Sequence, residues 1–239
     1  MASNGTTHIR PGAWAARVMA SAAMGLALLG APAAPTACAR DCPDVDVVFA
    51  RGTFEPPGVG AIGQRFVDDL TARIGAKSLT AYPVNYPAST EFPTAADGVI
   101  DASNHIRGTA AGCPHTDMVL GGYSQGAAVM GYVTAAKIPD GYTPPAGISE
   151  PMPPEVARHV AAVVLLGKPS ASFLASVDAP AMVIGPAYAG KTLELCAPQD
   201  PVCSSGTDNA AHTVYALNGM TGQAADFAAQ HLSETNAPQ

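Results

Sequence analysis

The stretch Gly122-Tyr123-Ser124-Gln125-Gly126 constrains this chain more than any other. It follows the apolar run Met118-Val119-Leu120 and opens a segment of small and apolar residues, Ala127 to Val133. That succession reads as strand, sharp turn, helix. A turn this tight presses backbone against backbone, so its flanks need residues without a β-carbon. The geometry lifts Ser124 to the end of a sheet and aims the N-terminus of the next helix at it, the pattern of a nucleophile elbow. Ordinary Gly/Ser turns share the motif. The elbow reading therefore requires a base, an acid and oxyanion donors elsewhere in the chain.

The flanking sequence alternates strands with helices. Asp44 to Ala50 is a β-branched run that ends at the turn Arg51-Gly52-Thr53. Ile62, Phe66, Leu70 and Ile74 recur every four residues, one face of an amphipathic helix. Lys77 to Val84 predicts a second strand, running into the loop 85–89, and Thr94 to Ala111 a second helix. Asp117 to Leu120 is the strand before the elbow, and Gly126 to Lys137 the helix after it. His159 to Gly167 returns as an apolar strand. Ala181 to Ile184 and Leu193 to Cys196 read as shorter strands, and Met220 to Leu232 as a closing helix. This order predicts an α/β fold with a central parallel sheet covered by helices on both faces. The segment from Ile138 to Pro154 holds six prolines and reads as a loop, with a functional lid as the sharper reading and a surface excursion as the favoured one. The helix after Ser124 runs away from the active edge, which places that segment at the far end of the sheet.

Composition excludes some classes of function. The formal charge is −7 with a pI of about 5.2, and no basic patch marks a nucleic-acid partner. At the N-terminus, Arg10 and Arg17 precede an uncharged apolar run, Val18 to Leu29, followed by small residues at Ala31-Pro32-Ala33 and Ala37-Cys38-Ala39. Residues 1–39 are thus expected to be a secretory signal and cleavage region, and 40–239 a single domain. The apolar run is shorter than the roughly 20 residues that span a bilayer. Five cysteines, at 38, 42, 113, 196 and 203, suit an exported chain, with Cys38 the odd one out.

A serine nucleophile needs a base. Of the six histidines, His8 falls in the leader, His105 mid-helix, His159 and His115 at the opposite edge, and His231 near the C-terminus. His212 lies in a loop after the last strand, in the order nucleophile, acid, base. The acid is then expected between Ser124 and His212. Asp200 stands between Cys196 and Cys203, which are spaced to close a small ring around it; Asp178, Glu194 and Asp208 are competitors. For the oxyanion, the N–H of Gln125 is one donor by position, and the loop carrying Thr53 is the expected source of the other. Loops 85–93, 168–180 and 204–211 lie at the active edge, with Tyr86, Phe92, Phe173, Leu174 and Val177 as candidates to bind an apolar chain.

Phe49-Ala50-Arg51-Gly52-Thr53-Phe54-Glu55, Gly122-Tyr123-Ser124-Gln125-Gly126, Cys196-x3-Asp200-x2-Cys203 and His212 occur in the order found in cutinases. From about Cys42 to Leu232 the chain resembles that family, and among its members the secreted cutinase-like esterases of mycobacteria. The resemblance implies a lidless three-layer α/β-hydrolase with a central, mainly parallel five-stranded sheet. It implies a Ser124-Asp200-His212 triad, an oxyanion hole at Thr53 and Gln125, and disulfides Cys42–Cys113 and Cys196–Cys203. No metal and no cofactor are expected. The expected protein is secreted, monomeric, and acts on an ester or lipid substrate, with peripheral contact to a lipid or polymer interface. Acyl transfer by the same triad, and an envelope-associated binding protein with a vestigial triad, are the alternatives.

Overall fold

The computed structural model describes residues 42–140, 142–148 and 150–234. The leader expected over 1–39, with Cys38 and His8, lies outside the described residues. Strand β1 (Val45–Ala50) is buried along its whole length. Its side chains alternate between two cores, as the period of a strand dictates. Val45, Val47 and Phe49 point to one face, and Val48 and Ala50 to the other. Helix α1 (Gly60–Thr71) lays Ile62, Phe66 and Leu70 on the first face, the four-residue spacing seen in the sequence.

Strand β2 (Leu79–Pro83) pairs in parallel with β1. A 3-10 turn at Phe92–Thr94 leads into helix α2 (Ala95–Gly112). Strand β3 (Asp117–Tyr123) lies beside β1, and helix α3 (Gln125–Val133) follows it. Next come strand β4 (Val160–Leu166), helix α4 (Ala171–Ser176), the single turn α5 (Pro186–Ala189), strand β5 (Thr192–Leu195) and helix α6 (Met220–Glu234). The sheet order is β2-β1-β3-β4-β5, and every pairing is parallel. α1 and α6 cover one face, where Ala224, Ala228 and Leu232 meet Val164 and Leu166. α2 and α3 cover the other, where Val99, Ala102 and Ile106 join Leu120, Val129 and Val163. Each face of the sheet is thus sealed by apolar helix surface, which is why the inner strands β1, β3 and β4 are almost continuously apolar, with Asp46 and Asp117 as the exceptions.

One strand expectation fails. Ala181–Ile184 does not join the sheet; Ile184 makes an isolated antiparallel bridge to Ala135, just past α3. Its backbone is held beside the end of α3 instead, where Gly185 N–H donates to Thr134 O at 2.9 Å. Two disulfides staple the fold. Cys42–Cys113 joins the chain before β1 to the end of α2 across 71 residues, and Cys196–Cys203 closes a seven-residue loop after β5. Among the described residues, no helix is long and apolar enough to cross a membrane.

Candidate active site

The elbow is built as its glycines require. Ser124 sits between β3 and α3 at φ 55° and ψ −120°, a backbone region that costs a side-chain-bearing residue about 1–3 kcal/mol. Its surroundings hold it there. Ser124 N–H donates to Leu166 O at 2.9 Å, and its carbonyl accepts from the N–H groups of Ala127 and Ala128. A β-carbon on Gly122 would lie 2.2 Å from Gly126 O, and one on Gly126 would lie 2.0 Å from Ala50 O. The two glycines are therefore demanded by close approach of three backbones.

His212 rides on a 3-10 helix (Asn209–Thr213) whose first N–H groups are capped by Asp208, Oδ1 accepting from Ala210 N–H at 2.9 Å. Its Nε2 is 2.7 Å from Ser124 Oγ and its Nδ1 is 2.7 Å from Asp200 Oδ2. The ring stacks on Tyr123 at 5.1 Å, and the Tyr123 hydroxyl donates to the His212 carbonyl. Behind the imidazole, Gly167 closes β4 at φ 59°, where a β-carbon would sit 3.1 Å from His212 Cε1. Neither Tyr123 nor Gly167 was singled out in the sequence for this role. The elbow motif did contain the tyrosine.

Asp200 is fully buried. Burial raises its pKa, but hydrogen bonds from Tyr215 and His212 and from the N–H of Val202 outweigh it and hold the carboxyl below its ordinary value. The Val202 N–H donates to Oδ1 at 2.8 Å, and the Tyr215 hydroxyl donates to Oδ2 at 2.6 Å. Oδ2 thus serves both the imidazole and the phenol. The Tyr215 hydroxyl also accepts from Ala197 N–H at 3.0 Å and lies 3.4 Å from Cys203 Sγ. Burial first, then the neighbouring carboxylate, push that phenol well above its ordinary pKa, so it is a fixed donor. Tyr215 was missed by the sequence reading; its spacing of three from His212 was the available signal.

Two of the three rival acids have other partners. Asp208 is the cap just described, and Glu194 pairs with Lys168 at 2.9 Å. Asp178, at φ 53°, lies on the wall of the cleft. His105 bonds Asp46 at 2.7 Å under a stacked Tyr82, and His231 bonds the Phe227 carbonyl. Cys196, Asp200 and Cys203 converge closely, but both sulfurs are consumed in the disulfide.

Thr53 and Gln125 line the same cleft as Ser124. The Thr53 loop is pinned by Glu55, whose Oε2 accepts from Gly52 N–H and Oε1 from Ala61 N–H, each at 2.7 Å. The carboxylate thereby ties the loop to the N-terminus of α1, where the helix dipole favours negative charge. Arg51 is buried beneath it, donating from Nε to Glu55 O at 2.8 Å and from Nη2 to Tyr86 O at 2.6 Å. Gln125 anchors its own side chain, Nε2 donating to Ser89 O at 2.9 Å.

A cleft of about 370 Å³ opens at Ser124 and His212. Of the apolar loop residues expected there, Phe92, Phe173, Leu174 and Val177 line it. Phe92 and Phe173 meet edge to face across it, 6.4 Å apart. Tyr86 does not; it is buried in the core under Arg51, its hydroxyl donating to the Arg51 carbonyl. Loop 204–211 contributes no lining residue among those that form the cleft. The Pro-rich segment corrects the sequence expectation. Ile138, Pro139, Ile148 and Met152 border the same cleft as Ser124. Helix α3 does run away from the active edge, but the cleft runs with it.

The family model described as Cutinase matches residues 41–232. The chain is 58% identical over 173 residues to the probable carboxylesterase Culp5 of Mycobacterium tuberculosis, covering 72% of this chain and 98% of that protein. It is 47% identical over 211 residues to the carboxylesterase Culp1 of the same species, covering 87% and 90%. Among solved structures, Trichoderma reesei cutinase in complex with a C11Y4 phosphonate inhibitor is similar at a TM-score of 0.61 and 29% identity, covering 80% of this chain and 77% of that one.

Proposed function

The chain belongs to the cutinase family, and from that premise we propose that it is an exported serine esterase that cleaves carboxylic esters through Ser124, His212 and Asp200. One observation carries the reading: the unbroken relay of 2.7 Å contacts from Ser124 Oγ through both ring nitrogens of His212 to Asp200. His212 Nε2 accepts the Ser124 proton as Oγ attacks the ester carbonyl. Nδ1–H stays bonded to Asp200, whose charge orients the ring and stabilises the imidazolium. The oxyanion is held by the backbone N–H groups of Thr53 and Gln125, with the Thr53 hydroxyl as a further donor. The imidazolium returns its proton to the leaving alkoxide, and the alcohol departs. Water, deprotonated by His212, then attacks the acyl-enzyme and releases the acid.

Export is supported by the basic-then-apolar N-terminal pattern and by two disulfides, which persist in oxidising compartments. Ester hydrolysis rather than passive binding is supported by the strained Ser124 backbone, a conformation retained only where surroundings enforce it. The test is hydrolysis of p-nitrophenyl butyrate by the wild type and Ser124→Ala. The expected result is turnover by the first and loss of at least ~10³-fold in the second. Equal turnover would overturn the assignment.

A further inference from the structure

We propose that Tyr123 is a positioning residue shared by the base and the oxyanion loop: its ring sets the spacing between His212 and the backbone that leads into Thr53. This rests on the serine-esterase reading and adds a residue to its machinery. Tyr123 is the last residue of β3, bonded directly to Ser124. The period of the strand sends its side chain with Val119 to the face covered by α1 and α6, away from Met118 and Leu120. It is buried, and it does not line the cleft. Toward the base it makes two contacts. Its ring stacks on the His212 imidazole at 5.1 Å with 29° between the planes, and its hydroxyl donates to the His212 carbonyl. The stack orients the imidazole, and the hydroxyl holds the backbone that carries it. Burial first, then Glu55 and Asp200, push the phenol well above its ordinary pKa, so it stays a donor.

The contact with the loop is read from Gly52. Its φ lies outside the left-handed region, so its backbone would accept alanine. Space forbids it: a β-carbon on Gly52 would lie 2.6 Å from Tyr123 Cδ1 and 2.7 Å from Tyr123 Cε1. The loop is not free to draw back. Gly52 N–H donates to Glu55 Oε2 at 2.7 Å, its carbonyl accepts from Glu55 N–H at 3.2 Å, and Phe54 N–H donates to Ala88 O at 2.7 Å. The glycine is thus demanded by the ring, which rests directly on the backbone before Thr53. The ring is confined as well, because the fully buried Tyr215 packs against it at 5.6 Å with a tilt of 56°. A shift of this one ring therefore disturbs base and loop together, and Ser124 follows it in the chain. Packing alone would be served by an aliphatic side chain, which has neither a face for the imidazole nor a donor for the His212 carbonyl.

The test is a double-mutant cycle between Gly52→Ala and Tyr123→Ala, read as kcat and KM on p-nitrophenyl butyrate per site titrated with a phosphonate. In the wild-type background Gly52→Ala should push the ring and cut kcat about hundredfold, the scale of a misplacement of about 1 Å. In the Tyr123→Ala background the added methyl group has room, so the same change should cost less than about threefold. Tyr123→Ala alone should lose about hundredfold in kcat. Tyr123→Phe keeps the ring and drops only the bond to the His212 carbonyl, so it should recover all but about fivefold to tenfold. KM should hold in every variant, since neither residue lines the cleft. The downfield Nδ1 proton resonance of His212 should also move in Gly52→Ala, although that substitution lies in the oxyanion loop. Equal costs of Gly52→Ala in the two backgrounds, or wild-type kcat in Tyr123→Ala, would overturn the proposal. Where Tyr123→Ala does not fold, Gly52→Ala decides alone: an unchanged kcat or an unmoved His212 resonance would overturn it. No turnover and no phosphonate uptake by the wild type would instead strike the esterase reading itself.

Discussion

Replacing Tyr215 by Phe deletes one oxygen that three groups share. Its hydroxyl donates to Asp200 Oδ2 at 2.6 Å and accepts from Ala197 N–H at 3.0 Å, in a fully buried position. A hydrogen bond to a charged acceptor contributes about 2 kcal/mol, and leaving the Ala197 N–H unpaired costs about 1 more, so Tyr215→Phe should destabilise the fold by about 3 kcal/mol. The sign with pH follows from Asp200. Its carboxyl is held below its ordinary value, so its share of stability is present above the unfolded pKa of about 4 and is lost as pH falls through the lower folded value. The phenylalanine variant removes one of the bonds that depress that pKa. The gap between wild type and variant should therefore be full at pH 7 and should narrow once the carboxyl is protonated in both. Catalysis should suffer less than stability, because Asp200 keeps His212 and the Val202 N–H. A roughly tenfold fall in kcat, about 1.4 kcal/mol, is expected with KM little changed, since Tyr215 does not line the cleft. Urea unfolding stepped from pH 7 down to about pH 2, with p-nitrophenyl butyrate kinetics, reads all three. Wild-type stability and wild-type kcat would refute the assigned role, as would a gap that ignores pH.

Two further outcomes follow from the same contacts. Glu55→Ala frees the Gly52 N–H and Ala61 N–H together, so the Thr53 loop should loosen and kcat should drop by about one to two orders of magnitude, with short-ester KM nearly unchanged; equal kcat would mean that the loop is held elsewhere. Cys42→Ser with Cys113→Ser opens a crosslink spanning 71 residues, for which chain entropy gives a loss of about 4 kcal/mol. Denaturant midpoints should fall accordingly while the kcat of the folded fraction holds, because neither cysteine approaches Ser124.

Much of the fold was legible because its signals are local. The β-branched run at β1, the four-residue spacing of α1 and the Gly-flanked Ser124 each report on a few neighbouring residues. His212 and Asp200 could be picked by chain order and by the cysteine frame, and the structure places both against Ser124 as a connected set. What stayed hidden depends on contacts far apart in the chain. Tyr215 looked like any loop aromatic until folding set it over a carboxylate 15 residues away. Glu55 was a letter in a motif, and its work became visible only with two N–H groups converging on it. Ala181–Ile184 has strand composition, yet tertiary packing beside the end of α3 leaves it a single bridge. The Pro-rich segment shows the reverse error: its composition marks a loop correctly, but only the three-dimensional path of the cleft along α3 shows what the loop borders.

The central claim is that Ser124 is the nucleophile set by His212 and Asp200. Stoichiometric reaction with diethyl p-nitrophenyl phosphate tests it most directly, since the serine oxygen displaces p-nitrophenol and keeps the phosphoryl group. The expected result is a burst of one equivalent of p-nitrophenol, a single adduct that peptide mass spectrometry maps to Ser124, and no burst from Ser124→Ala. No adduct on disulfide-bonded wild type, or an adduct on another residue that persists in Ser124→Ala, would contradict it.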